Sequence, residues 1–394
     1  MNKKRKVCRM IFKSHPITVE EIFSTHWRIW KFLGAVPNQN YLKLHRFYTI
    51  MLTLIFIIDY PLHLVLGLMD LVTIEEFCLN LTITVPSVVC VLKFYNFWRN
   101  LNKVRELEIM FNILHSRISQ QSEWMYYREV AVPTAMRILH AFHFLCIAAV
   151  AIWELSILIT GCLYGWRLMN LGYFPFDEYA TTLNFIIANI FQLIGFSVHV
   201  KENLASDTYG GMCLALLSGH AHLLGKRVAS IGYDESKTQE ENTKDLIKCI
   251  ADHNVLFDSH RKIGEIMGFS MFVQIISASL IMGFIIISMV FYSNNILEYF
   301  TYSILLFAGI MEVFPTCYYG TYFEVELDKL TVMLYSCNWM DQSREFKKNL
   351  IIFVEQSLKE RNFKVGGMFA LNLNIFFSIC KGVYSLLTLA LQMK

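Results

Sequence analysis

Residues 47–69 read Phe-Tyr-Thr-Ile-Met-Leu-Thr-Leu-Ile-Phe-Ile-Ile-Asp-Tyr-Pro-Leu-His-Leu-Val-Leu-Gly-Leu-Met, 23 positions whose one charge is Asp59. A helix that crosses a bilayer needs about 20 predominantly apolar residues, and this stretch is long enough. Composition says which solvent it meets. The 394 residues are 55% hydrophobic and 17% charged, with a mean hydropathy of +0.41, against roughly 45–50% and 25% in an ordinary soluble domain. That is more apolar side chain than a water-facing surface can hide, which excludes a soluble enzyme.

Six further stretches match the first: 77–92, 138–159, 179–200, 267–292, 299–319 and 365–392. Four of the seven carry one charged residue inside, Asp59, Glu154, Glu312 and Lys381. Each is expected to face the bundle or water, because lipid exposure costs at least about 2.5 kcal/mol. An eighth apolar stretch, 208–225, contains His220, His222 and four glycines and reads as an extension of the fourth span. Counting it as a span would invert every later segment.

Lys and Arg concentrate in cytoplasmic segments, and that bias sets orientation. Alternate connections carry 32 of them on one side and 2 on the other, Lys381 completing the total of 35. The amino terminus is therefore expected in the cytosol and the carboxyl terminus outside, opposite to the seven-helix receptors that couple to G proteins. The net charge of +3 is too small to suggest nucleic acid as a partner. The basic first 13 residues are followed by no apolar core of signal-peptide length, so no cleavage is expected.

The fold class read from this is all-α, one membrane domain over 1–394. It divides into a cytosolic amino-terminal segment (1–46), six spans with their connections (47–319), cytosolic helices (320–364) and a last span (365–394). Thr18-Val-Glu-Glu21 is a capping-box pattern leading into Phe23, Trp27 and Trp30 at helical spacing. Such a helix can lie on the inner membrane surface or pack against the cytosolic ends of the spans. Long polar helices are expected at 100–127, 242–262 and 328–361, with 234–244 a flexible link and 160–178 an irregular outer lid.

Catalytic motifs are missing: there is no Walker loop, no HExxH, no nucleophile elbow. No cofactor is expected. His140 and His143 with Glu154 lack a third ligand in register for a metal. Ten cysteines are scattered singly, of which Cys78 and Cys162 both fall at the outer face, where an oxidising exterior permits a bond. Asn80-Leu-Thr82 is a glycosylation sequon set too close to a span to be used. In the last span the polar residues Asn374, Ser378, Lys381, Ser385, Thr388 and Gln392 recur every three or four positions. They draw a stripe down one helix face, which must meet neighbouring helices or the water of a pore, since lipid cannot satisfy it.

From Tyr335 the chain reads Tyr-Ser-Cys-Asn-Trp339, Asp341-Gln-Ser-Arg344, Phe346-Lys-Lys348, Gln356, Gly366-Gly367 and Phe376-Phe-Ser-Ile-Cys-Lys-Gly-Val-Tyr-Ser-Leu-Leu-Thr388-Leu. This resembles the carboxyl-terminal signature of insect odorant receptors, and His26-Trp-Arg-Ile-Trp30 with Gly34 is similar to their amino-terminal pattern. The resemblance implies an odorant-binding subunit of a ligand-gated, nonselective cation channel. Its partners would be the shared odorant co-receptor in a heterotetramer, a small volatile odorant and the lipid bilayer, and its location the plasma membrane of olfactory sensory dendrites. In the family the last helix lines the pore. By that resemblance Leu389 and Met393 are gate positions, Gln392 the polar one beside them, and Ser385 and Thr388 flank the gate. The family's pocket lies in the outer half of spans two, three, four and six, which here holds Phe77, Leu81, Trp153, Ile157, Tyr179, Phe185, Ile186, Tyr299, Tyr302 and Leu306. Trp153 and Tyr302 stand out, because an aromatic with a polar handle can orient an ester, ketone or alcohol. The alternatives are a gustatory receptor-type channel, or a transporter with Asp59, Glu154 and Glu312 as its ion path.

Overall fold

The computed structural model describes residues 17–37, 41–70, 73–166, 168, 170–293, 296–358, 364–365 and 369–393. The elements are α1 (Val19–Phe32), α2 (Leu42–Gly67), α3 (Ile74–Ser116), α4 (Gln121–Tyr126 and Val132–Tyr164, joined by a π-turn at Tyr127–Ala131), α5 (Thr182–Ser230), α6 (Gln239–Phe291), α7 (Ile296–Tyr335), α8 (Arg344–Ser357) and α9 (Leu373–Met393). A two-residue antiparallel pair joins β1 (Lys364–Val365) to β2 (Phe369–Ala370). Seven helices among the described residues, α2 to α7 and α9, are long and apolar enough to cross a membrane. The last begins at Leu373 rather than near 365. Its start is fixed by side chains, Thr321 Oγ1 accepting from the Leu373 N–H and Asn372 Oδ1 from the Asn374 N–H.

Helix lengths set the architecture. α5 has 49 residues, about 73 Å at 1.5 Å per residue, against a hydrocarbon layer of about 30 Å. The remainder projects beyond the membrane at the end that carries the Lys- and Arg-rich connections, the basic end. The 208–225 stretch is thus an extension of the fourth span, buried throughout apart from the partly exposed His222. α7 runs along α5 and α3 along α6, so the basic end is a four-helix core outside the bilayer. Arg227 grips Glu123 through two nitrogens and reaches Asp252, which also receives Arg117, tying α4, α5 and α6 together.

α1 plugs this core from the side. Thr18 and Glu21 cap its start reciprocally, and Gly34, at φ 79°, lets the chain close its far end with the Ala35 N–H on the Trp30 carbonyl. Phe23, His26 and Trp30 are buried against Tyr209, Phe97 and Phe111, and Trp27 Nε1 donates to Glu108 at 2.6 Å. Packing, not the membrane surface, claims the tryptophans. The polar 234–244 segment is also half helix. Thr238 and Glu241 form a capping box that starts α6 at Gln239, and Lys237 pairs with Asp245 at 2.7 Å. In the turn before it, two hydrogen bonds from Ser236 hold the Asp234 carboxyl below its ordinary value.

Candidate functional site

Two places carry side chains that packing alone does not explain: the outward face of α9, and the half of the bundle away from the basic end. On α9, Ile375, Phe376, Ile379 and Val383 pack on the core, and Leu387 and Ala390 meet Ile286 and Val290 of α6. An added Cβ on Gly283 would lie 3.2 Å from Leu386. The opposite face leaves the chain altogether. Asn374, Ser378, Lys381, Ser385, Leu389 and Gln392 are all exposed, and with Phe377, Cys380 and Tyr384 the first three border a groove of about 510 Å³. Thr388 is half-buried. From Ser385 the exposed line continues through Leu389, four residues on, to Gln392. The side chain of Met393 lies outside the described residues.

The hydroxyls of Ser378, Ser385 and Thr388 are satisfied by carbonyls of their own helix, those of Asn374, Lys381 and Ser385. Lys381 and Gln392 point out. Among the described residues no helix of the same chain covers this face, so its polar groups are left to water or to another molecule.

In the half away from the basic end, Tyr302 is 5% exposed and sits with Ile281 and Ile285 of α6. Leu79 and Val85 of α3, Met289 of α6, and Leu305 and Leu306 of α7 close round them. Tyr302 and Leu306 are therefore brought together. Tyr179 and Phe185 form a second group, ring centroids 5.9 Å apart, near the connection before α5. The Tyr179 hydroxyl accepts from the Leu168 N–H. Leu81 and Phe185 are half-buried, whereas Phe77, Ile186 and Tyr299 are exposed on the single chain. The side chains of Trp153, Glu154 and Ile157 lie outside the described residues.

Against the connection before α5 is a polar knot that the sequence did not point to. His63 Nδ1 donates to the Tyr173 carbonyl at 2.7 Å. Gln192 bridges His63 Nε2 and both backbone groups of Asn170, and Asn170 reaches the Tyr60 hydroxyl. Asn80 donates to the Leu171 carbonyl at 3.0 Å, so the sequon's amide is engaged in holding the lid. Gly172 is required here, since a Cβ would collide with the His63 imidazole. A His in the first span and a Gln in the fourth were the available signal. Their meeting is a tertiary fact.

Other expectations separate. Asp59 is exposed on the outer surface of the chain, because its neighbour Tyr60 takes the inward position. Cys78 is a buried free thiol and Cys162 an exposed one, so they are not bonded. His140 and His143 are exposed on α4. Lys93 is buried and gives its three protons to Asn203, Asp207 and Gln274 at 2.6, 2.7 and 2.7 Å, while Gln274 Nε2 donates to Glu312. Among the described residues, one trio of metal-capable groups converges: Cys90, His199 and Glu202.

Comparison with known proteins gives a consistent result. The family described as 7tm odorant receptor matches residues 73–384. Odorant receptor 33b of Drosophila melanogaster is 31% identical over 387 residues, covering 98% of this chain and all of the relative. Odorant receptor 59a of the same species is 31% identical over 397 residues, covering 95% and 98%. The solved insect olfactory receptor OR5 from Machilis hrabei superposes with a TM-score of 0.79 at 13% identity, covering 95% of this chain and 99% of that one. In its complex with eugenol the TM-score is 0.76, at the same identity, covering 95% and 100%.

Proposed function

The chain belongs to the insect odorant receptor family, a family of receptors and not of enzymes, and from that premise we propose that this multi-pass membrane protein is the odorant-binding subunit of a ligand-gated, nonselective cation channel. The observation that carries the reading is the outward face of α9. A stripe running from Asn374 through Lys381 and Ser385 to Gln392 is exposed on the single chain. Lipid cannot solvate it. A heterotetramer with the shared co-receptor, each subunit contributing this helix to a central pore, turns the stripe to water and to neighbouring subunits at once.

In that assembly Leu389 and Met393 form the gate, Gln392 lies beside it, and Ser385 and Thr388 flank it. The basic end is cytosolic, in the plasma membrane of olfactory sensory dendrites, and the whole chain acts as one membrane domain. The odorant binds in the outer half, against walls drawn from Phe77, Leu81, Trp153, Ile157, Tyr179, Phe185, Ile186, Tyr299, Tyr302 and Leu306. Apolar and aromatic walls with few polar groups suit a volatile, mostly apolar ligand. Eugenol, held by the OR5 relative, is of that kind. Binding opens the pore only through a difference in affinity between open and closed states. Each tenfold shift in the opening equilibrium requires about 1.4 kcal/mol of that difference.

The test is expression with and without the co-receptor, recording currents against an odorant panel. The expected result is an odorant-evoked cation current that depends on both subunits and loses sensitivity in Trp153→Ala and Tyr302→Ala. Odorant-independent solute uptake without current would overturn the channel reading, and unchanged responses in both variants would overturn the pocket.

A further inference from the structure

Where α2, α3 and α5 meet, one sulfur, one imidazole nitrogen and one carboxylate oxygen, from Cys90, His199 and Glu202, lie within 4.8 Å of one another. All three residues are buried, Glu202 at 1% exposure. His199 Nε2 faces the Phe56 carbonyl at 3.0 Å. A carbonyl only accepts, so Nε2 carries the proton and Nδ1 of the neutral ring presents a bare lone pair. That lone pair looks at Glu202 Oε2 across 3.6 Å.

Neither Nδ1 nor either Glu202 oxygen has a hydrogen-bond partner. The Lys93 ammonium, one turn from Cys90, cannot help, since its three protons go to Asn203, Asp207 and Gln274. The nearby Phe94 N–H leans toward the Glu202 carboxyl without reaching hydrogen-bond geometry. A shared proton would draw nitrogen and oxygen to within about 3.2 Å. Two acceptors held apart in a buried place are what a metal ion needs. With bonds of about 2.0–2.3 Å, ligands at the tetrahedral angle sit roughly 3.3–3.8 Å from each other.

Two further features favour a cation. The carbonyl that orients His199 is made available by the chain itself. Residues 53–58 form a π-turn, and Phe56 within it turns its carbonyl to His199. A backbone carbonyl on the far nitrogen is the usual support for a metal-bound imidazole. The connected polar cluster also holds three carboxyls, of Glu202, Asp207 and Glu312, for the single ammonium of Lys93. A divalent ion supplies the missing positive charge.

We propose that Cys90, His199 and Glu202 form a binding site for one zinc-class divalent cation, which clamps α3 to α5 and, through Phe56, to α2. The mix of sulfur, nitrogen and oxygen donors selects zinc over magnesium or calcium. Binding releases the Cys90 thiol proton to solvent.

The experiment uses the full chain purified with its co-receptor partner and read by elemental analysis. Cadmium is then added to the chelated complex to look for the ultraviolet sulfur-to-metal charge-transfer band. Relative to a sample of co-receptor alone, the wild-type chain is expected to add one zinc and one such band. Cys90→Ser, His199→Gln and Glu202→Gln each weaken binding more than about tenfold, while Cys249→Ser, at a cysteine outside the trio, leaves it unchanged. Chelation of the wild type, which needs no variant to fold, lowers its unfolding temperature, and added zinc restores it. No metal and no band attributable to this chain, or equal binding by wild type, His199→Gln and Glu202→Gln, overturns the site.

Discussion

The two ends of the bundle are built on different rules. At the basic end the helices outrun the membrane and pack like a soluble core: Trp30, Tyr127, Tyr209, Phe97, Phe111, Phe346 and Phe353 are among the largest fully buried side chains. Asp252 and Glu123 are buried there with guanidinium partners. Toward the other end, apolar residues such as Leu183, Ile186, Ile190 and Phe300 are exposed on the chain, and the connection before α5 is irregular and pinned by a few hydrogen bonds to His63, Asn80 and Gln192. The difference teaches a division of labour. One end fixes the helices to each other, and the other leaves smaller apolar clusters, the place proposed for the ligand.

Substitutions at the basic end should therefore cost stability and leave odorant preference alone. Trp30→Ala empties a site lined by Phe97 and Tyr209 and should destabilise by roughly 3–5 kcal/mol, read as loss of surface expression without a change of ranking among odorants. Of comparable size is Lys93→Met, which strands Asp207 and should cost about 3–5 kcal/mol. The double variant Lys93→Met with Asp207→Leu should recover most of that loss in a thermal-stability assay. A double variant no better than the single would mean that the charge itself is needed.

At the other end the order reverses. Tyr302→Phe, which keeps the buried ring and removes only the hydroxyl, should leave expression near wild type and move the half-maximal odorant concentration by about 1–3 kcal/mol in free energy, or roughly 10- to 200-fold. An effect on expression larger than on sensitivity would erase the contrast between the ends. The smallest change is Thr18→Ala, which removes the α1 cap and should cost about 1 kcal/mol, visible in thermal unfolding and silent in odorant response.

Much of this was legible in residue order. Seven apolar runs and the sorting of basic residues lead to the helices, because hydrophobicity is read locally, and the three-and-four spacing from Asn374 to Gln392 marks a face the structure does leave open. The spacing alone put Leu389 about 100° from the Thr388 line. The fold half-buries Thr388 and exposes Leu389, so the exposed line shifts from one to the other. What the sequence hid depends on partners far apart in the chain. His63 meets Gln192 across 129 positions, Lys93 meets Asp207 across 114, and Trp27 and Trp30 turn from the membrane surface because Phe97, Phe111 and Tyr209 form a seat for α1. Asp59 was expected to face the bundle or water; it is exposed on the chain, and Tyr60 beside it takes the inward position.

The central claim is that the exposed face of α9 meets water in a conducting pore, and cysteine accessibility tests it most directly. Ser385→Cys and Val383→Cys are placed on the two faces of the same helix, over the same background of native cysteines, and each is co-expressed with the co-receptor. A charged methanethiosulfonate reagent is applied during odorant-evoked current. The account predicts that Ser385→Cys is modified with a large change in current while Val383→Cys, packed on the core, responds as wild type does. Modification of Val383→Cys with Ser385→Cys untouched would contradict it.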